Sequence, residues 1–483
     1  MRRPDMATGP FVQTRRRFLG ASAAVTAAIA SGIDQLRAEE ADHDKEFTKQ
    51  DRLVNLGIIG CGREGCWLMS NSLCIPKVRY KAVCDIWPYR REVAAGICKQ
   101  LTPADQYVEP VQYTEYEKFI EDAQKNGIEA VVVAVPDWKH AEVTNACLRG
   151  GLHVYCEKEM DKTIEGAREM VTTARETNLI LQIGHQRHSN PYYKLAWKLL
   201  HHDRVCGRIT HARGQFNRNM NGRWLDDAPE FDPTGYGYAT MSHLRDWRLY
   251  KKHGGGWMAD LGSHQVDVFN WMLNANPHSV MGCGGIDYYV DETFEKVVDG
   301  KKVVSPYPRR EWYDNVMCIF EYPDVASRTG GLIRIHYQVI TTNKFDWFYE
   351  VLFGTEGTLF LSSDGGLIFR EPGAPKLAWE TEATKKTVMG RDTIETGVGR
   401  TLSRPGRLRF LRHGDAGERI RIETAKTEHQ LSLEDFVYAL RTGIRGGCSP
   451  EDGYVTTVAC LTASEAAEKK TKIVFKPEDF VVA

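Results

Sequence analysis

The sequence predicts an α/β protein in two parts: a doubly wound parallel sheet, then an α+β domain built on an antiparallel sheet. Three observations predict it. Between residues 52 and 184, continuous apolar runs of strand length alternate with helical stretches. The first run ends in Gly60-Cys61-Gly62-Arg63-Glu64-Gly65, a G-x-G-x-x-G at a strand–helix junction. After residue 280, strand-length runs succeed one another with short turns between them.

In chain order, 53–59 is an apolar strand, 62–73 a helix, 78–85 a second strand and 90–99 a second helix. The run Ile-Glu-Ala-Val-Val-Val-Ala-Val at 128–135 is the strongest buried strand, followed by a helix over 137–149. Strands at 153–156 and 180–183 flank a helix at 163–177. The ligand crevice of such a sheet lies at the carboxyl ends of its strands. Beyond residue 184 the rhythm changes. Helices are predicted at 191–202 and 260–274, and 217–256 is rich in Gly, Asp, Asn and aromatics with little periodicity. Strands are predicted at 280–290, 313–322, 331–341, 347–354, 357–363 and 366–370. The segment 373–430 reads as charged, irregular surface, and helices at 432–442 and 451–469 close the chain.

Thr14-Arg15-Arg16-Arg17-Phe18-Leu19 precedes an apolar, small-residue run from Gly20 to about Ile33. This resembles a bacterial twin-arginine signal, with cleavage near Ala38, and predicts a periplasmic or otherwise exported protein. The expected organisation is 1–38 signal peptide, 39–51 linker, 52–184 nucleotide domain and 185–430 substrate and oligomerisation domain. Residues 431–483 are expected as helices and a tail packing back on the body. Lys+Arg 63 balances Asp+Glu 64, so no nucleic-acid partner is expected. No apolar stretch after residue 50 is long enough for a membrane span. The twelve cysteines include no C-x-x-C pair. They read as buried thiols of a cargo folded in a reducing compartment.

The glycines of the fingerprint allow a tight turn and close approach of a pyrophosphate to a helix N-terminus. Asp85, 20 residues after Gly65, would accept bonds from the adenosine ribose. It would repel a 2′-phosphate and so favours NAD over NADP, although Arg90 and Arg91 stand close by. Three further segments read as a site. Val135-Pro136-Asp137-Trp138-Lys139-His140 and Glu157-Lys158 each follow a strand, and Asp260 and His264 sit at i and i+4 on one helical face. Gly254-Gly255-Gly256 permits close backbone approach. His140 also reads as a residue serving its own helix. No H-E-x-x-H or comparable spacing is present, so no metal is expected.

These motifs, with Gly184-His185-Gln186-Arg187, resemble the Gfo/Idh/MocA family, which includes glucose–fructose oxidoreductase and inositol dehydrogenase. The resemblance runs from about residue 52 to the end. It implies an N-terminal Rossmann domain and a C-terminal domain with an open, mostly antiparallel sheet. That sheet often forms the interface of a homodimer or homotetramer. It also implies sugar, cyclitol or polyol substrates and a cofactor site of Gly60, Cys61, Gly62, Arg63, Glu64, Gly65, Asp85, Pro136, His140, Glu157, Lys158 and Gln186. The family's catalytic lysine maps to Lys158 and its Asp/His pair to Asp260 and His264. One departure is Glu159, where the family pattern Glu-Lys-Pro has proline.

Oxidising a secondary alcohol needs a base at the hydroxyl, for which His264 is the first candidate. Lys158 would bond the same oxygen and stabilise alkoxide charge. Asp260 would bind a neighbouring hydroxyl or hold His264. Arg187, Trp247 and Arg248 are candidate substrate contacts. Export favours a tightly bound cofactor, because little free nicotinamide cofactor exists outside the cytoplasm. The alternative activity is an NAD-dependent glycoside hydrolase using transient C3 oxidation and elimination, with Tyr192 and His188 as weak candidates for its C2 base. A non-catalytic nucleotide-binding module is the third reading.

Overall fold

The computed structural model describes residues 52–220, 229–290, 293–298, 301–306, 309–362, 365–376, 385–388, 391–396 and 426–482. The predicted signal peptide and linker lie outside the described residues.

The first sheet holds six parallel strands, β1 (Val54–Ile59), β2 (Val78–Cys84), β3 (Val111–Tyr113), β4 (Ala130–Val133), β5 (His153–Cys156) and β6 (Leu181–Ile183). Their spatial order is β3-β2-β1-β4-β5-β6. This is the doubly wound order whose strand sequence reverses between β1 and β4. The apolar runs form strands here because both sheet faces are covered: every residue of β4 is buried. Strand β3 and helix Tyr116–Ala123 were not expected, since β3 is three residues long and exposes Val111.

The second sheet has ten strands. They are β7 (Ile209–Asn217), β8 (Ser279–Gly285), β11 (Asn315–Pro323), β12 (Leu332–Ile340), β13 (Phe348–Gly354), β14 (Gly357–Ser362), β15 (Gly365–Arg370), β16 (Lys385–Val388), β17 (Arg391–Thr396) and β18 (Lys472–Val474). Among the described residues only the β7–β12 pair of this sheet is parallel, so the sheet is mostly antiparallel as the resemblance implied. A separate hairpin joins β9 (Thr293–Val298) to β10 (Lys301–Pro306).

Two C-terminal helices tie the halves together. Helix Glu428–Thr442, capped by the Thr427 hydroxyl, lays Leu433, Phe436, Val437 and Leu440 on the nucleotide domain's core beside Leu56, Leu68 and Met69. Helix Pro450–Lys469 is buried along much of its length. Its Tyr454 accepts hydrogen bonds from Arg168, and its Cys460 and Ala463 join the core that spans both sheets. All twelve cysteines are free thiols, and nine are buried. No helix among the described residues is long and apolar enough to cross a membrane.

Candidate active site

A cleft of about 1010 Å³ is lined from both halves of the chain, at the carboxyl ends of β1, β2, β4, β5 and β6. The glycine fingerprint forms one wall. Gly60 has φ +95°, and a Cβ there would lie 2.5 Å from the Ala134 carbonyl. A Cβ on Gly65 would lie 1.9 Å from the Gly60 oxygen, whereas one on Gly62 would meet nothing within 4 Å. The first and third glycines are thus needed for packing, and the second leaves the cleft side open. Gly62 caps helix Arg63–Ser72 without any side-chain bond, so the helix N–H groups stay available to an anion. Asp85 accepts from the Cys61 N–H at 2.7 Å and from the Trp87 N–H at 2.8 Å. It therefore props the loop while its outer lone pairs remain for a ribose. Arg90 and Arg245 lie 5.2 and 5.5 Å from the Trp87 ring beside it. These residues fit a dinucleotide. Gly65→Ala is expected to weaken NAD binding at least tenfold by calorimetry, because the clashing atom is backbone.

Lys158 follows β5, and Asp260 and His264 enter from the other domain. Residues Met258–Gly262 form a π-helical turn that leads into helix Ser263–Leu273. The Lys158 ammonium donates to the Asp260 backbone carbonyl and lies 3.6 Å from Asp260 Oδ1. Arg248 Nε donates to the same carboxylate oxygen at 3.1 Å, with its guanidinium 4.1 Å from the Trp247 ring. Burial pushes the Asp260 carboxyl up, but Arg248 and Lys158 outweigh it and hold it at about 2. Burial, then Lys158 and Arg187, push His264 well below the usual imidazole range, which favours its neutral form and disfavours a proton on it.

The other expected residues are placed as follows. Pro136, His140, Glu157 and Gln186 line the cleft. His140 Nδ1 lies 2.5 Å from the Glu159 carbonyl, so it also holds the segment after Lys158. The Lys158–Glu159 peptide is cis. Arg187 lines the cleft but is 3 % exposed, bonded to the Tyr193 hydroxyl at 3.1 Å and 3.9 Å from Glu350. Tyr192 and His188 are not brought to the cleft. His188 instead pairs with Asp267 at 3.1 Å, near Cys448, and these three are the one His/Cys/Asp/Glu cluster of metal-holding proximity among the described residues.

Three features were given no role by sequence reasoning. Asp137, inside the Val-Pro-Asp motif, is 3 % exposed with no partner for Oδ2, and burial and then the Asp260 charge push it up to about 7. Phe216 and Phe348 give the cleft an aromatic floor, their rings 5.0 Å apart. His429, opening the penultimate helix, closes the cleft through Glu64 at 3.2 Å. The motif pointed to Asp137; nothing local marked the other three residues.

These charges make stability depend on pH. Glu157 is pushed up to about 7 by burial and then Glu64, and Glu159 to about 8 by burial. With Asp137, these carboxyls keep protons that the unfolded chain has lost above about pH 4.5. The folded state binds more protons, so stability falls as pH rises from there to about 8. His140 and His185, lowered to about 4 by burial, oppose this only below about pH 6.5. Without added nucleotide, the melting temperature is expected to fall between about pH 6.5 and 8, and to fall less in Glu159→Gln.

Comparison with known proteins agrees with this architecture. The family model for the NAD-binding Rossmann fold of the oxidoreductase family GFO/IDH/MocA matches residues 54–185, and the GFO/IDH/MocA C-terminal domain matches 196–360. The chain belongs to the Gfo/Idh/MocA family. It is 31 % identical over 151 residues to 1,5-anhydro-D-fructose reductase of Ensifer adhaerens, covering 31 % of this chain and 39 % of that protein. It is 27 % identical over 210 residues to a glycosyl hydrolase family 109 protein of Streptomyces niveus, covering 43 % and 40 %. These matches thus span about two fifths of either relative's length. A structure of levoglucosan dehydrogenase with NADH and levoglucosan superposes with TM-score 0.60 at 19 % identity, over 88 % of this chain and 99 % of that one, and shows the shared fold.

Proposed function

We propose that the protein is an NAD-dependent oxidoreductase acting on a secondary hydroxyl of a sugar, cyclitol or related polyol. The observation that carries this reading is the meeting of Lys158 from one domain with Asp260, His264 and Arg248 from the other, in the cleft that holds the glycine cradle. Gly60–Gly65, the helix N-terminus and Asp85 would hold the dinucleotide, which when bound supplies the hydride chemistry at its nicotinamide ring. His264 takes or returns the hydroxyl proton. Lys158, steadied by Asp260, donates to the same oxygen and stabilises negative charge there. Asp260 binds a neighbouring hydroxyl, while Phe216, Phe348 and Trp247 offer apolar surface to a sugar ring. Asp85 supports NAD, and Arg90 and Arg245 are the groups a 2′-phosphate would meet.

The test mixes the protein with NAD or NADP and a panel of anhydrosugars, aldoses and cyclitols, and follows nicotinamide absorbance. Reduction by at least one polyol, lost in Lys158→Met, is expected. Nucleotide binding without reduction by any polyol overturns the reading.

A second reading is redox-neutral cleavage of a glycoside with tightly retained NAD. Asp137 favours it, as a further proton-holding acid in the cleft, and the Streptomyces relative's name is in keeping with it. Deuterium incorporated beside the oxidised carbon in heavy water, without net NADH, is its signature. We further propose assembly as a homodimer or homotetramer through the open face of the second sheet. There Met281, Met317 and Ile319 are 45, 45 and 40 % exposed. Export by the twin-arginine route remains our reading of residues 14–33.

A further inference from the structure

We propose that Glu159 and His185 form a buried charge-setting pair that governs whether His264 can hold a proton; this rests on the proposed roles of Lys158, Asp260 and His264. Glu159 directly follows Lys158 and is 0 % exposed, and His185 is 1 % exposed. Glu159 Oε1 and His185 Nε2 lie 3.7 Å apart, within ion-pair reach but outside hydrogen-bond length. Among the described residues, neither carboxyl oxygen and neither ring nitrogen has a partner within hydrogen-bond geometry, although the Thr457 hydroxyl also faces the carboxyl. The Ser263 hydroxyl faces the carboxyl, and it too lacks one. Ser263 is the residue before His264, so the chain neighbours of both proposed catalytic residues meet behind the cleft. Interiors rarely leave such groups together without a use, because each loses its water.

The use follows from the charges. The His185 and His264 rings stand perpendicular with centroids 6.4 Å apart. From the cleft side, Lys158, Arg187 and His429 disfavour a proton on His264. When the substrate hydroxyl gives up its proton, an N–H bond forms on His264 as the O–H bond breaks, and a positive charge appears beside those cations. A carboxylate at Glu159 offsets that charge, whereas a protonated Glu159 does not. The other charged groups near the pair are these. Asp267 faces His185 but is paired with His188, and Asp137 and Lys158 face Glu159 from the cleft side. The Cys448 and Cys460 thiols, which lie towards the C-terminal helix, are neutral because burial raises both. Glu159 is therefore a positioning residue acting through His264, and ionising it raises the rate of the oxidative direction.

Two readouts on the full chain test this. Infrared spectra across pH should show buried carboxylic-acid carbonyl absorption whose component fading near pH 8 is lost in Glu159→Gln and persists in Glu159→Asp. A band unchanged in Glu159→Gln overturns the proposal. His264→Arg places a cation that does not titrate at the neighbouring position and should make the band fade at lower pH; an unmoved midpoint also overturns it, and this needs no substrate. With any polyol from the panel that is oxidised, kcat should rise about tenfold through the same pH range, with KM steady. Glu159→Gln should lose that rise and Glu159→Asp regain it. A rise retained in Glu159→Gln sinks the pair while leaving the oxidoreductase reading intact. Failure of every polyol sinks the oxidoreductase reading, and the infrared midpoint still decides the pair.

Discussion

Lys158→Met is expected to lower turnover by about 10²–10³-fold while nucleotide binding and folding are retained, the scale set by losing a charged donor at a developing anion. The side chain is 10 % exposed, so methionine fills nearly the same buried space. Asp260 is not stranded, since Arg248 still bonds it at 3.1 Å. The loss should therefore appear in kcat rather than in the melting temperature. Lys158→Arg should not rescue it, because a planar fork cannot occupy the ammonium's place between the Asp260 carbonyl and the substrate oxygen. A loss of less than tenfold would remove Lys158 from the reaction. Titration calorimetry with NAD, run beside the rate assay, separates lost chemistry from lost binding.

Arg187→Met is expected to cost about 3–5 kcal/mol of stability, the usual penalty for stranding a buried charge. Glu350 is 0 % exposed and has Arg187 3.9 Å away and the Tyr193 hydroxyl donating at 2.9 Å. Burial raises the Glu350 carboxyl, and Arg187 is the cation that opposes this. The same guanidinium lies 4.8 Å from the Phe348 ring, on the cleft floor. Its removal should thus loosen both the second sheet's edge with the cleft and the floor itself. Thermal unfolding should shift down by several degrees, and Glu350→Gln in the same chain should restore part of the loss. An unchanged melting temperature would show that Arg187 serves substrate alone.

Much of the nucleotide half was legible in the sequence, because local chemistry and final environment agree there. The Val131–Val133 run is buried on both faces and looks it, and the glycine spacing states a steric need that the fold then meets. Strand β7 was missed although it is central to the second sheet. Its residues Gly214, Gln215 and Asn217 look like a loop. Yet Gly214 is needed because a Cβ there would come within 2.9 Å of Phe269, and Asn217 donates to the Phe345 carbonyl at 2.8 Å. Their partners lie 55 or more residues away, beyond any local pattern. The same holds at the site. Lys158 and the Asp260–His264 pair were found from spacing and resemblance. His429 was not, because its meeting with Glu64 depends on how the last helices fold back.

That return has a consequence for how the protein folds. The nucleotide domain carries an apolar face around Leu56, Leu68 and Met69, and its cover, Leu433 to Leu440, lies far downstream in the chain. Until that cover docks, the nucleotide domain is a half-closed body with apolar surface exposed. Its cleft also lacks one wall until the final helices dock. A chain cut before Leu433 would leave that face bare.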